Sequence, residues 1–323
     1  MDRNKRPTWL YVTLTALLVV LGLTLWLGAE QNRQIQRAVA SLPEPPPVVY
    51  EDIQHLSSLK AFDETRKYEA KTGSSHQGIA LILDDVGYDL AALKRALKLP
   101  YPMAISIIPN APHAVRAAEM AHAAGDVVML HLPMEPANPE FSHRMDDAFL
   151  QVGMSRNDVR RIMLADLARI PYVAGVNNHM GSRLTTLAEP MRWVMDVCRE
   201  RGLFFVDSRT SKESVAAKTA REEGLAWGER RVFLDNNLKE KDLEESWQVA
   251  KRKMSQHIPV IVIGHPHGAT LDFLETHVKV ADVRRIFPLK KLLFAGHPAH
   301  VPANESLNIR PSMGSIHAEN NAN

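Results

Sequence analysis

Ile79–Gly87 reads Ile-Ala-Leu-Ile-Leu-Asp-Asp-Val-Gly. Five residues suited to a buried strand run straight into two adjacent carboxylates. Neighbouring like charges repel, and a carboxylate in apolar surroundings resists ionisation. A metal ion, a basic partner or exposure to water at the strand end would each offset that cost. Asp84 and Asp85 could also simply cap a following helix, since Asp is a good N-cap.

The same grammar recurs along residues 78–298. Apolar runs at Met103–Ile108, Val127–Leu130, Val173–Val176, Leu203–Val206, Val232–Leu234, Val260–Ile263 and, more weakly, Leu292–Ala295 read as strands. Helix-length segments lie between them, at Leu90–Leu97, His113–Ala124, Arg156–Arg169, Glu189–Arg201, Ser211–Glu223 and Leu243–Ser255. Continuous apolar strands alternating with helices indicate parallel strands covered on their faces. The fold class is therefore α/β, and seven to eight units fit a (β/α) barrel of the TIM type, complete or not, better than two domains. A doubly wound open sheet is the alternative. No GxGxxG or Walker sequence follows any of the strands, so nucleotide binding has no support.

Around this domain the chain changes character. Residues 1–8 carry Arg3, Lys5 and Arg6, and residues 9–28 hold no charge. Twenty helical residues span roughly 30 Å, the thickness of a bilayer core. The flanking charges predict a transmembrane anchor with a cytoplasmic N-terminus and an extracytoplasmic, periplasmic domain. A cleaved signal peptide competes, but Leu27-Gly28-Ala29 is a poor cleavage site. Residues 29–77, with Pro-Glu-Pro-Pro-Pro at 43–47, read as a stalk, and 299–323 as a disordered tail. Of 323 residues 39 are basic and 37 acidic, which leaves no basic field for nucleic acid. Cys198 is the single cysteine, excluding an internal disulfide and a Cys-rich zinc site.

Polar residues collect at the predicted strand ends, where barrel enzymes place their active sites. These are Asp84 and Asp85; Pro109 and Asn110; His131 to Glu135; Asn177 to Ser182, including His179; Asp207, Ser208, Arg209 and Thr210; Asp235 to Asn237; and His265 to His267. Three of the clusters hold a histidine after an apolar run. Histidines with a carboxylate make an open site for Zn²⁺ or a related divalent ion, which lowers the pKa of a bound water. One Asp could ligate while the other accepts a proton, a physical reason for an adjacent pair. Asn177, Asn178 and Ser182 could meet sugar hydroxyls or form a turn. Asp207, Ser208 and Arg209 could line the mouth or make an internal salt bridge holding it, with Asp207 near Asp84 or His265, and Asp235-Asn-Asn237 could be only a turn.

Leu-Asp-Asp-Val-Gly at 83–87, His-Leu-Pro-Met-Glu-Pro at 131–136, Asn-Asn-His-Met-Gly-Ser at 177–182, Val-Asp-Ser-Arg-Thr at 206–210 and Gly-His-Pro-His at 264–267 together resemble the divergent polysaccharide deacetylase family. That resemblance implies an irregular (β/α) barrel and metal-dependent hydrolysis of acyl groups on an N-acetylated amino-sugar polymer of the cell envelope. It makes Asp84 the base, Asp85 and His131 metal ligands, and His265 the general acid. The usual second ligand histidine, four residues after the first, is here Glu135. His179 could supply the missing nitrogen, with Glu135 as a neighbouring, substrate-binding or alternative ligand oxygen. The usual strand-four Arg-x-Pro-Tyr is also absent. A glycan-binding or scaffolding module without catalysis is the alternative function.

Overall fold

The computed structural model describes Gly22, Leu23, Glu30 and residues 77–296 apart from His257. Among them no helix is long and apolar enough to cross a membrane. The predicted anchor, stalk and tail otherwise lie outside the described residues.

Seven strands close into a barrel: β1 Ile79–Val86, β2 Met103–Ile107, β3 Val127–Met134, β4 Gly175–Met180, β5 Phe204–Asp207, β6 Trp227–Phe233 and β7 Val260–Gly264. Each pairs in parallel with the next, and β7 returns to β1. Helices cover the outside: α1 Leu90–Ala96, α2 Ala114–Ala123, α3 Arg156–Arg169, α4 Ala188–Glu200, α5 Ala216–Glu222, α6 Glu240–Ser255, α7 Gly268–His277 and α8 Val280–Val283. This arrangement is the parallel barrel expected, with seven strands.

Strand alternation sorts the side chains into two cores. Leu81, Leu83, Ile105, Leu130, Leu132, Val176 and Phe205 join the helices in the outer one. Ala80, Ile82, Ala104, Met129, Phe204, Val206, Ile261 and Ile263 form the inner one with Leu289 and Leu292. Burying a large apolar side chain fully contributes about 1.5–3 kcal/mol, so both layers matter to stability. Inside, Gly175 is needed for its lack of a side chain: a Cβ there would lie 2.1 Å from the Phe204 ring.

Several elements depart from expectation. Leu292–Ala295 is not an eighth strand. It follows a short 3₁₀ turn, Leu289–Lys291, and pairs with β6 through an antiparallel bridge of Phe294 to Trp227. With Phe287 bonded to Ile79, this segment runs across the N-terminal ends of β1 and β6. β6 begins five residues before the expected Val232, because Arg231 and Glu229 pair at 3.5 Å and Arg230 is bonded to main-chain carbonyls. β3 and β4 run on through the residues expected to follow them. Helix α7, after the His-Pro-His sequence, had no expected counterpart. Cys198 is wholly buried in α4, and burial pushes its thiol pKa up, as suits a small core residue.

Candidate active site

Inside the barrel the apolar layer gives way to a polar one at a single level. Along the inward face Ala80 and Ile82 lead to Asp84, Ala104 to Ser106, Met129 to His131, and Ile261 and Ile263 to His265. Ser106, His131, Asn177, Ser208 and His265 are all buried.

Adjacent strand residues point to opposite faces, so an ordinary strand would send Asp85 out toward the helices. It does not do so, because Asp85 adopts a left-handed backbone with φ of 56°. The β1–β2 register shifts between Leu83 and Val86 at the same place. That irregularity brings both carboxylates to the site. Gly87 completes the turn at φ of 123°, where a Cβ would stand 2.5 Å from that of Ala111. The cap of α1 is supplied by Asp89, which accepts from the Ala91 and Ala92 N–H groups. Asp84 and Asp85 are thereby left for another task.

Asp85, His131 and His179 each aim an atom at a common point, the three lying within 4.8 Å of one another. Asp85 Oδ1 is 3.1 Å from His131 Nε2 and 3.0 Å from His179 Nδ1, and the two rings approach to 3.3 Å. Yet neither buried oxygen of Asp85 has an aligned hydrogen-bond partner. A buried carboxylate without hydrogen bonds, facing two imidazole nitrogens, is the donor set a divalent cation would complete.

His131 faces Asn177 across the β3–β4 pair. Its Nδ1 is 3.0 Å from Asn177 Oδ1, while Asn177 Nδ2 donates to both oxygens of Asp84, at 2.9 and 3.1 Å. On the far side His265 Nε2 lies 3.9 Å from Asp85 Oδ2, and His265 Nδ1 is 2.9 Å from Asp235 Oδ1. Asp235 Oδ2 accepts from the His265 N–H and from the Thr270 hydroxyl, both at 2.7 Å.

The charges split as the geometry suggests. Burial opposes ionisation of Asp85, but His179 and His131 overcome it and hold its carboxyl well below the ordinary value. Burial dominates at Asp84 and raises its pKa against the pull of His131, His265 and Asn177. For His131, burial is outweighed by Asp84 and Asp85; for His265 it is outweighed by Asp235, and both rings are raised. Asp85 thus stays anionic while Asp84 is the readier proton acceptor.

The remaining expected residues lie around this centre. Glu135 is not in the cluster: it takes Arg183 Nη1 at 2.9 Å and the Val152 N–H at 2.6 Å. Asn178 accepts from the Ser208 N–H and donates to the Met180 carbonyl, tying the ends of β4 and β5. Ser182 accepts from the Ala137 N–H. Asp207 accepts from the Arg209 and Ala217 N–H groups and from Ser214 Oγ. Arg209 turns to the carbonyls of Ser214 and Lys212.

Sequence reasoning passed over three contributors. Asp235 read as a turn residue but grips His265. Ser106 lay inside an apolar strand. Arg230 was hidden in the polar run Gly228–Arg231; it donates to the Ser208 and Arg209 carbonyls, and burial lowers its pKa to about 10, leaving it cationic. Three consecutive charged residues, Glu229–Arg231, break any alternation of apolar and polar positions, so no sequence signal singled out Arg230.

Residues 81–293 match the family model described as divergent polysaccharide deacetylase. The chain belongs to the divergent polysaccharide deacetylase family. Two relatives are similar to this deacetylase-family chain. YibQ of Escherichia coli K12 is 32% identical over 200 residues, 62% of each chain. A protein of Haemophilus influenzae Rd is 32% identical over 201 residues, 62% of this chain and 71% of its own. The chain thus spans less than two thirds of the E. coli relative. The crystal structure of ATU2773 from Agrobacterium tumefaciens C58 shares the fold at a TM-score of 0.61 and 20% identity, over 66% of this chain and 88% of that one.

Proposed function

We propose that this deacetylase-family barrel is a metal-dependent amide hydrolase that removes acyl groups from an N-acetylated amino-sugar polymer of the cell envelope. The observation that carries this reading is the buried Asp85 carboxylate, without hydrogen bonds, between His131 and His179, with Asp84 and His265 on either side.

Asp85, His131 and His179 would hold the ion, most readily Zn²⁺. When bound it supplies Lewis-acid polarisation of the acyl carbonyl and of water. Its two positive charges also match the pair Asp84 and Asp85, which removes the cost of burying adjacent carboxylates. Asp84 takes the proton of the attacking water, as its raised pKa and its place beside His131 allow. His265 Nε2 gives a proton to the departing nitrogen as the carbon–nitrogen bond breaks, leaving acetate and a free amine. Asp235 fixes the opposite nitrogen of that ring and offsets its positive charge. The uncharged stretch Trp9–Gly28 supports an envelope location, with the barrel on the extracytoplasmic side of the inner membrane.

The deciding experiment is acetate release from a panel of N-acetylated envelope glycans, with and without chelator. Chelator-sensitive release on one of them is expected, and no release from any metal-loaded sample would sink the enzymatic reading. A glycan-binding module on the same fold is the second reading, favoured by the commitment of Glu135 to Arg183 where the family pattern has a histidine. It predicts glycan binding without divalent metal. Protease accessibility of the barrel in intact and permeabilised cells tests the location; digestion only after the inner membrane is opened would reject it.

A further inference from the structure

Asn177 was expected to meet sugar hydroxyls, yet it is wholly buried and its amide is fully engaged within the protein. Oδ1 accepts from the Ser106 hydroxyl and faces His131 Nδ1. Nδ2 donates to Asp84 on one side and, at 3.1 Å, to Ser208 Oγ on the other. An amide offers two donor hydrogens and two acceptor lone pairs, and all four positions are used. The neighbours come from β1, β2, β3 and the turn after β5.

This surrounding also decides which way the amide points. Reversed, its oxygen would face the two oxygens of Asp84, acceptor against acceptor. In the orientation seen, Asn177 Oδ1 can only accept, so a neutral His131 must carry its hydrogen on Nδ1. Nε2 is then bare, and it stands 3.1 Å from Asp85 Oδ1, which is also an acceptor. Two lone-pair atoms at that separation repel unless a positive charge lies between them.

We propose that Asn177 is the positioning residue of the site: it selects the His131 nitrogen presented to the cation and, through its other end, aims the Asp84 carboxylate. One amide thereby couples the ligand set to the proton acceptor. The Asp84 half rests on the deacetylase reading; the His131 half does not.

The test uses the full chain, freed of metal for the titrations. First, long-range proton–nitrogen correlation on the zinc-loaded native chain reports which His131 nitrogen keeps its hydrogen. Hydrogen on Nδ1 is expected, and hydrogen on Nε2 overturns the proposal without any variant. Second, cobalt(II) is titrated into Asn177→Leu and Asn177→Asp by calorimetry. Asn177→Leu, which removes the acceptor at nearly constant volume, should weaken cobalt about 10–100-fold, the usual cost of losing a residue that orients a ligand. Asn177→Asp keeps an acceptor for His131 but no donor for Asp84. It should hold cobalt far better than Asn177→Leu while losing kcat with KM little changed. A folded Asn177→Leu with native cobalt affinity refutes the proposal. Should the tautomer and cobalt results come out as expected while the native chain releases no acetate, the deacetylase reading falls and the positioning role of Asn177 toward His131 stands.

Discussion

Asp235 holds His265 twice, through the ring at 2.9 Å and through the main-chain N–H at 2.7 Å. A single carboxylate therefore sets both the position of the β7 end and the direction of the imidazole. Replacing Asp235 with Asn keeps a polar group of the same size but removes the charge facing the ring. Deacetylase kcat should fall by about 10²-fold or more, the scale of a proton-transfer contribution, with the fold retained by circular dichroism. Unchanged kcat would show that the Asp235 charge does not support proton donation by His265.

Loss of a ligand should remove the metal. Asp85→Ala and His179→Ala are each expected to come off the column with far less zinc than the native chain, read by elemental analysis. Native metal content in both would refute the assignment of Asp85 and His179.

Glu135 should behave differently. Its carboxylate is spent on Arg183 and on the Val152 N–H, so Glu135→Gln should leave zinc stoichiometry intact. Glu135→Ala should lower unfolding stability by about 1–3 kcal/mol, since the part-buried Val152 N–H loses its acceptor. A Glu135→Gln chain purified without zinc would make the residue a ligand after all.

Asp166 predicts a pH effect remote from the site. Burial raises its pKa to about 7, against the pull of Arg169, and its Oδ2 has no hydrogen bond. The folded value lies above the unfolded one, near 3.8. The native state therefore keeps a proton that the unfolded chain releases. Its stabilising effect is complete below about pH 4 and fades as pH rises to about 7. Asp166→Asn, which stays neutral, should gain on the native chain between pH 5 and pH 8, by an amount on the order of a few kcal/mol. Urea unfolding at the two pH values checks this, and a difference independent of pH would contradict it.

The barrel was legible because its strands are made of residues that only a covered parallel sheet can bury. His131, His179 and Asp85 were legible because ligand-type side chains stood where apolar runs ended. What escaped depended on backbone detail that residue spacing does not carry. That both acids of the pair enter the site follows from the left-handed turn at Asp85, and alternation alone would have sent one outward. Arg209 and Asp207 sit in a sequence that looks like a mouth, yet the chain there folds back on itself and uses both to hold the turn into α5. Asp235 and Arg230 lay in polar runs whose side chains gain meaning only once β6 is seen to pass between β5 and β7. Ser106 was masked by its apolar neighbours.

The Phe204 ring set against Gly175, with Leu289 and Leu292 beneath, makes the lower barrel solid. The interior is closed at that end. Whatever reaches Asp84 and His265 arrives from the rim and must depart by it, so both products of a cleavage would share one exit. On the proposed deacetylase reading, turnover on a long polymer would include the time the chain takes to disengage from that rim, and short oligomers should be released faster than the strands from which they derive.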